Sequence, residues 1–197
     1  MASRNRKKLA ELHRVLEAAG ISGLDLLSLN DVAAYDEAPE TGATFEENAI
    51  AKARDGFAAT GLPTLADDSG LEVAALNGMP GVLSARWAGG HGDDAANYSL
   101  LLAQLHDVPD ERRGAAFVSS CALVCGPGEV TVVRGEWPGH ISREPLGDGG
   151  FGYDPVFIPE GEGRSAAQLS PAEKDAASHR GRALALLVPV LRELARG

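Results

Sequence analysis

The chain has 197 residues, enough for one domain of ordinary size or two small lobes. Hydrophobic residues at 44% and charged residues at 23% are globular proportions and argue against a disordered tail. Eighteen Lys and Arg against 28 Asp and Glu give a formal charge of −10, which disfavours non-specific nucleic-acid binding because that needs a basic face to displace counterions. A small anionic substrate stays open if a metal ion or a few placed cations reverse the field locally.

Residues 7–19 set Leu9, Leu12, Val15 and Leu16 on one helical stripe closed by Gly20. A short strand is expected at 25–29, and the acidic, Pro/Gly-punctuated segment 31–42 reads as loop. Thr44 begins a T-F-E-E capping box that opens a helix through about Ala59. The segment TLADDSGLEVAAL (64–76) predicts a strand that runs into two aspartates, a turn, and a second apolar stretch. Residues 94–105 form an amphipathic helix carrying Leu100, Leu101 and Leu105.

Residues 115–125 and 129–137 flank Gly126-Pro127-Gly128 and predict a hairpin. Alternation puts Cys121 and Cys125 on one strand face, a core-packing pattern, and one such pair does not close a zinc site. The segment 142–155, containing PLGDGGFGYDP, is glycine-rich and precedes a short strand at 156–158. Ser170-Pro171-Ala172-Glu173 opens the last helical stretch, with a restart at Ser178 and Pro189 near its end. The expected fold is mixed α/β, a single domain over 1–197 built on a long sheet. Trp87 and Trp137 mark either an interface or a capped core.

The N-terminus MASRNRKKLAEL lacks an apolar signal region, and no run approaches the ~18 residues of a membrane span, so no membrane partner is expected and cytoplasm is the default. Only Met1 and Ala2 precede the polar SRNRKK. A functional first loop in an α/β protein usually leaves a buried strand of about five residues, so the expectation is a truncated strand or an upstream start.

Four polar islands fall at predicted element ends. Ser3, Arg4, Asn5, Arg6, Lys7 and Lys8 precede a helix, where free N–H groups and the dipole favour an anion; the P-loop spacing is absent, and a solvated basic terminus has the same look. Glu40 stands ahead of the helix that carries Asn48 and Lys52, itself also readable as a surface lysine. Asp67-Asp68-Ser69-Gly70 suits either a cation site, with Glu40 helping to hold Mg²⁺, or an Asx-turn. Phe151-Gly152-Tyr153-Asp154 offers aromatic faces and a carboxylate for a flat ring, and Lys174, Ser178, His179 and Arg180 offer donors near a helix start. Gly149-Gly150 alone reads as a hinge and SHR as a surface patch; together the islands make a set suited to nucleotide hydrolysis.

SxNxxK (3–8), ETGATFEENAIAKA (40–53), LADDSGLEV (65–73), GMPGVLSARWAG (78–89), GGFGYDPVF (149–157) and EKDAASHRGRAL (173–184) together closely resemble the inosine/xanthosine triphosphate pyrophosphatase family, in order and over nearly the whole chain. The resemblance implies an elongated α/β fold with two lobes around a central nucleotide cleft, usually a homodimer. It implies Mg²⁺-dependent hydrolysis of dITP, ITP or XTP to the monophosphate and pyrophosphate. It assigns Ser3, Asn5, Lys8 and Lys52 to the phosphates, Asp68 to proton acceptance and metal, Glu40 and Asp67 to the metal, and Ser69 to a substrate contact. Phe151 to Asp154, Lys174, His179 and Arg180 match the base-binding set, with Phe151 or Tyr153 under the ring and donors at His179 or Arg180 facing the 6-carbonyl.

Two departures stand out. Relatives usually show T-G-N-x-G-K where this chain has Ser3-Arg4-Asn5-Arg6-Lys7-Lys8, so Arg4 or Lys7 would replace close backbone approach by charge. Pro39 stands where an acidic residue often precedes Glu40. Two other functions fit the same residues: a non-catalytic nucleotide sensor, or a pyrophosphatase for modified pyrimidine or methylated nucleotides.

Overall fold

The computed structural model describes residues 1–36 and 39–196; the side chains of Lys7, Pro171, Asp175 and Ala176 lie outside the described set. The fold is mixed α/β, with a four-stranded sheet in the order β1-β2-β3-β4: β1 (Thr64–Val73), β2 (Gly114–Gly126), β3 (Glu129–Ile141) and β4 (Phe157–Pro159). Helices are α1 (Arg6–Ala18), α2 (Phe45–Thr60), α3 (Asp94–Gln104), α4 (Pro171–Ala177) and α5 (His179–Leu194).

The helices form where the pattern places them. Helix α1 buries Leu12 and Leu16, each contributing about 1.5–3 kcal/mol. It ends at Gly20, whose φ of 64° lets the Ile21 N–H return to the Leu16 carbonyl. Thr44 caps α2 by accepting the Glu47 N–H at 3.2 Å, while the Glu47 carboxylate turns to the Ala43 N–H at 2.7 Å. Helix α4 opens on the complete Ser170–Glu173 capping box, and α5 restarts straight after Ser178.

Two expectations fail. Residues 25–29 form no strand: the Leu29 N–H meets the Ser3 carbonyl and the N-terminal ammonium meets the Leu27 carbonyl, which is not a ladder. Within the segment Leu26 packs against the core of Leu12 and Leu65, as does the preceding Leu24, and Leu29 is buried. The predicted turn at Asp67-Asp68-Ser69-Gly70 is absent as well. Strand β1 runs unbroken through it, because both aspartates find cationic partners and need no turn to reach solvent.

The hairpin of β2 and β3 forms around Pro127-Gly128, with Gly128 at φ 84°. Strand β3 extends to Ile141, past the predicted end, because β4 pairs with it antiparallel: Gly139 with Pro159, His140 with Ile158, Ile141 with Phe157. The short strand expected at 156–158 is β4, but local pattern did not announce its pairing with β3.

The chain gathers into two compact units: residues 1–68, 119–135 and 180–197 make the first, and residues 69–118 and 136–179 the second. Strands β1, β2 and β3 each carry residues of both. The first unit buries Leu12, Leu65, Leu123, Leu184 and Leu187; Cys121 lies in this core and Cys125 packs partly buried against it, both as free thiols. The second unit buries Leu71, Leu101, Phe117, Trp137 and Phe157, so Trp137 is core. Arg113 is buried there too, donating to the carbonyls of Leu105, Ile141 and Ser142 and so fixing the segment whose Ser142 N–H holds the Val156 carbonyl.

Candidate active site

In the first unit, Asp68 and Glu40 share one cation. The Lys52 ammonium lies 2.9 Å from Asp68 Oδ1 and 2.5 Å from Glu40 Oε1. Asn48, one helical turn before Lys52 on α2, is buried and donates from Nδ2 to Asp68 Oδ2 at 3.0 Å. The same amide accepts the Gly42 N–H through Oδ1 at 2.8 Å, and a β-carbon at Gly42 would collide with it. Glycine is required there so that the loop behind Glu40 can close on α2.

Burial raises the Asp68 carboxyl above its ordinary value, even against Lys52 and Asn48. Burial alone would lower the Lys52 ammonium, but Asp68 and Glu40 outweigh it and hold it raised. Asp68 is thus a carboxylate with better than usual proton affinity, orientated by two donors.

Asp67 belongs to a different cluster. Neighbours on a strand project to opposite faces, so the two aspartates are separated by the geometry of β1. Asp67 Oδ1 receives Lys8 at 2.8 Å and Oδ2 receives Arg180 Nε at 3.1 Å, while Arg180 Nη1 also reaches Glu11 at 3.0 Å. Burial would raise the Asp67 carboxyl, but Lys8 and Arg180 override it and push it far below the carboxylate range. Removing one partner from a buried pair of this kind costs about 3–5 kcal/mol. Asp67 thus pairs with Lys8 and Arg180, not with the Lys52 ammonium that Glu40 and Asp68 share. Arg180, expected among the base contacts, shares the Asp67 carboxylate with Lys8.

Ser3, Arg4, Asn5 and Arg6 sit at the start of α1, with the Ser3 hydroxyl accepting the Asn5 N–H at 3.1 Å and Arg4, Asn5 and Arg6 exposed. The Lys7 side chain is outside the described residues. Ser69 follows Asp68 on β1 and begins the second unit.

The second unit holds the remaining predicted residues. The buried Asp154 carboxylate accepts the Phe151 N–H at 2.8 Å and the Lys174 ammonium through the same oxygen, Oδ2. Lys174 also lies 4.6 Å from the centre of the Phe151 ring, a cation over an aromatic face. A side chain at Gly150 would strike the Asp154 carboxylate, and its φ of 77° favours glycine in any case. The Gly152 N–H donates to Asp94 Oδ2 at 2.6 Å.

Of the two candidate rings, Phe151 is 50% exposed and Tyr153 is buried, its hydroxyl donating to the Ser84 carbonyl at 2.9 Å. Phe151 is therefore the available shelf. His179 stacks on Phe117 with centroids 5.1 Å apart.

Glu11, Ser84 and Asp94 are supporting residues without a role in the sequence reading, and Asn48 was named there only by its place before Lys52. Asn48 had a signal, its four-residue spacing from Lys52 on one helix face. The other three had none, since their partners are distant in sequence.

The sequence profile of the Ham1 family matches residues 1–190. The chain belongs to that family. A relative from Mycolicibacterium paratuberculosis, named dITP/XTP pyrophosphatase, is 78% identical over 197 residues, covering all of this chain and 96% of the relative. A crystal structure of a nucleoside-triphosphatase (dITP/XTP pyrophosphatase) from Mycobacterium abscessus matches with a TM-score of 0.83 at 68% identity, over 97% of each chain. A HAM1 protein from Coxiella burnetii matches with a TM-score of 0.89 at 44% identity, over 98% of this chain and 96% of that one.

Proposed function

We propose that this chain hydrolyses deaminated purine nucleoside triphosphates, dITP, ITP and XTP, to the monophosphate and pyrophosphate. The observation that carries the reading is the Lys52 ammonium bridging Glu40 and Asp68, a site for concentrated positive charge beside a proton-accepting carboxylate. The whole-chain kinship with proteins named dITP/XTP pyrophosphatase supports the substrate class.

The pair fits Mg²⁺, which takes one or two carboxylates and fills its remaining positions with water and phosphate oxygens. Among the described residues no group of three or more acidic, His or Cys side chains is gathered to hold a metal, so Glu40 and Asp68 would leave most positions to water and phosphate. Glu40 and Asp68 would hold the ion, whose charge would neutralise phosphate oxygens and favour ionisation of water.

Asp68 accepts the proton of the attacking water as its oxygen bonds to the α-phosphorus. The bond from that phosphorus to the α,β-bridging oxygen breaks, and pyrophosphate leaves with the electron pair. Lys8 and Lys52 offset charge on the leaving group, and the Ser3–Arg6 segment, with Lys7, draws the triphosphate to the start of α1. Ser69 supplies a further substrate contact.

On the second unit, Phe151 takes the flat face of the base, with Gly152, Tyr153 and Asp154 shaping the shelf, and Lys174 is the donor at its edge. A 6-carbonyl satisfies donors from Lys174 or His179, whereas an adenine amino group opposes them, a mismatch worth about 10⁴-fold when donors are buried. Arg180 acts from the Lys8 side of the machinery. A homodimer and a cytoplasmic address complete the proposal on the family resemblance; light scattering at the mass of one chain would remove the dimer.

The test is pyrophosphate release from ITP, XTP, dGTP and dATP, with Mg²⁺ and with chelator. The proposal expects Mg²⁺-dependent release from ITP and XTP and little from dATP. Binding of ITP without release would make the chain a sensor, and preference for a modified pyrimidine triphosphate would move it to the other hydrolase class.

A further inference from the structure

We infer that Asp67 is a positioning residue that fixes Lys8 and Arg180 for the triphosphate, and not a metal ligand, an inference that rests on the proposed pyrophosphatase activity. Asp67 bridges two helix starts. Lys8 stands in the first turns of α1 and Arg180 in the first turn of α5, and each occupies one oxygen of the same carboxylate. The Asp67 side chain is 1% exposed, so no solvent competes for these contacts.

Glu11 closes the arrangement. It lies three residues after Lys8 on α1 and binds the other end of the Arg180 guanidinium. The strand, α1 and α5 are thereby linked through four side chains, and none of the links depends on a ligand. An ammonium has three donors. Asp67 takes one from Lys8, whose side chain keeps 21% exposure, which leaves two for phosphate oxygens. A lysine held at one fixed point meets the triphosphate without first losing the freedom of its long stem.

Charge and position make opposite forecasts here. If Asp67 acted only as a negative charge, its removal would tighten binding of a polyanion. If it holds Lys8 in place, its removal weakens that binding.

The experiment compares the full chain with Asp67→Asn and Asp67→Glu by calorimetry, in two separate binding measurements without turnover. Inorganic tripolyphosphate is titrated into metal-free protein, and Mn²⁺ into nucleotide-free protein. The expected result is tripolyphosphate binding weakened about tenfold in both variants, with Mn²⁺ affinity within about twofold of the parent. Lys8→Met should weaken tripolyphosphate binding too, and adding Asp67→Asn to it should weaken binding by less than Asp67→Asn does in the parent, since only the Arg180 half of the arrangement is left to lose.

Unchanged or tighter tripolyphosphate binding overturns the inference. So does a tenfold loss of Mn²⁺ affinity, which would make Asp67 a metal ligand. If Asp67→Asn does not fold, Asp67→Glu, which keeps the charge and misplaces it by one methylene, decides on the same two titrations. Absence of pyrophosphate release from ITP by the parent protein would sink the activity while leaving both titrations readable.

Discussion

Asp68→Asn separates chemistry from stability in this protein. The substitution keeps the side chain's shape and removes the proton acceptor, so the expected loss in kcat is about 10²–10⁴-fold, or roughly 2.7–5.4 kcal/mol of barrier at ~1.36 kcal/mol per decade. Its effect on folding should be small. Burial already holds the Asp68 carboxyl above its ordinary value despite Lys52 and Asn48, so the ionised form is the costly one in the folded state and a neutral side chain relieves that cost. Against this relief, one of the two donors now faces an amide N–H, a loss of about 1 kcal/mol. The terms oppose each other, and at ~2–4 °C per kcal/mol for a chain of this length the melting temperature should move by no more than about 4 °C. Lys52 keeps Glu40 as a partner. Steady-state pyrophosphate release from ITP with Mg²⁺ reads the first quantity, and a fluorescence melt reads the second. A kcat within about tenfold of the parent would remove Asp68 as proton acceptor. A melting temperature lower by ~10 °C would show that the ion pair outweighs burial after all.

Other perturbations read the surrounding structure. A β-carbon on Gly70 lands on Ser84 Oγ and 2.7 Å from the Gly81 carbonyl, and that hydroxyl cannot rotate away without giving up the Leu71 N–H. Gly70→Ala should therefore cost about 1–3 kcal/mol and reduce turnover through the neighbouring Ser69; a melt within about a degree of the parent would contradict the packing. Burial pushes the Cys121 thiol up to about 12, leaving on the order of one part in 10⁴ as thiolate near pH 8. A thiol-specific disulfide reagent should titrate Cys125 alone in the folded chain and both cysteines after denaturation, and equal rates in the folded protein would refute the burial.

Much of the fold was written locally. The stripe of Leu12 and Leu16, the Thr44 and Ser170 caps and the Gly126–Gly128 turn all act within a few residues, and each element formed where the pattern put it. The failures have a common cause. Segment 25–29 had strand composition but no neighbour to complete a ladder, β3 gained its last residues from β4, and Asp67-Asp68 remained in a strand because cations from α1, α2 and α5 meet it there.

The same division holds at the site. By itself, the sequence determined the inventory, namely two aspartates on β1, a lysine near the start of α1 and another midway along α2, and an aromatic-glycine-carboxylate run, because side-chain chemistry is a property of the residue. Only the tertiary structure decided the pairings. It gave Lys52 to Asp68 and Glu40, gave Lys8 and Arg180 to Asp67, buried Tyr153 and left Phe151 half exposed. Such pairings depend on strand parity, which sends adjacent residues to opposite faces, and on contacts between residues as far apart as Asp67 and Arg180. Local spacing carries no record of either.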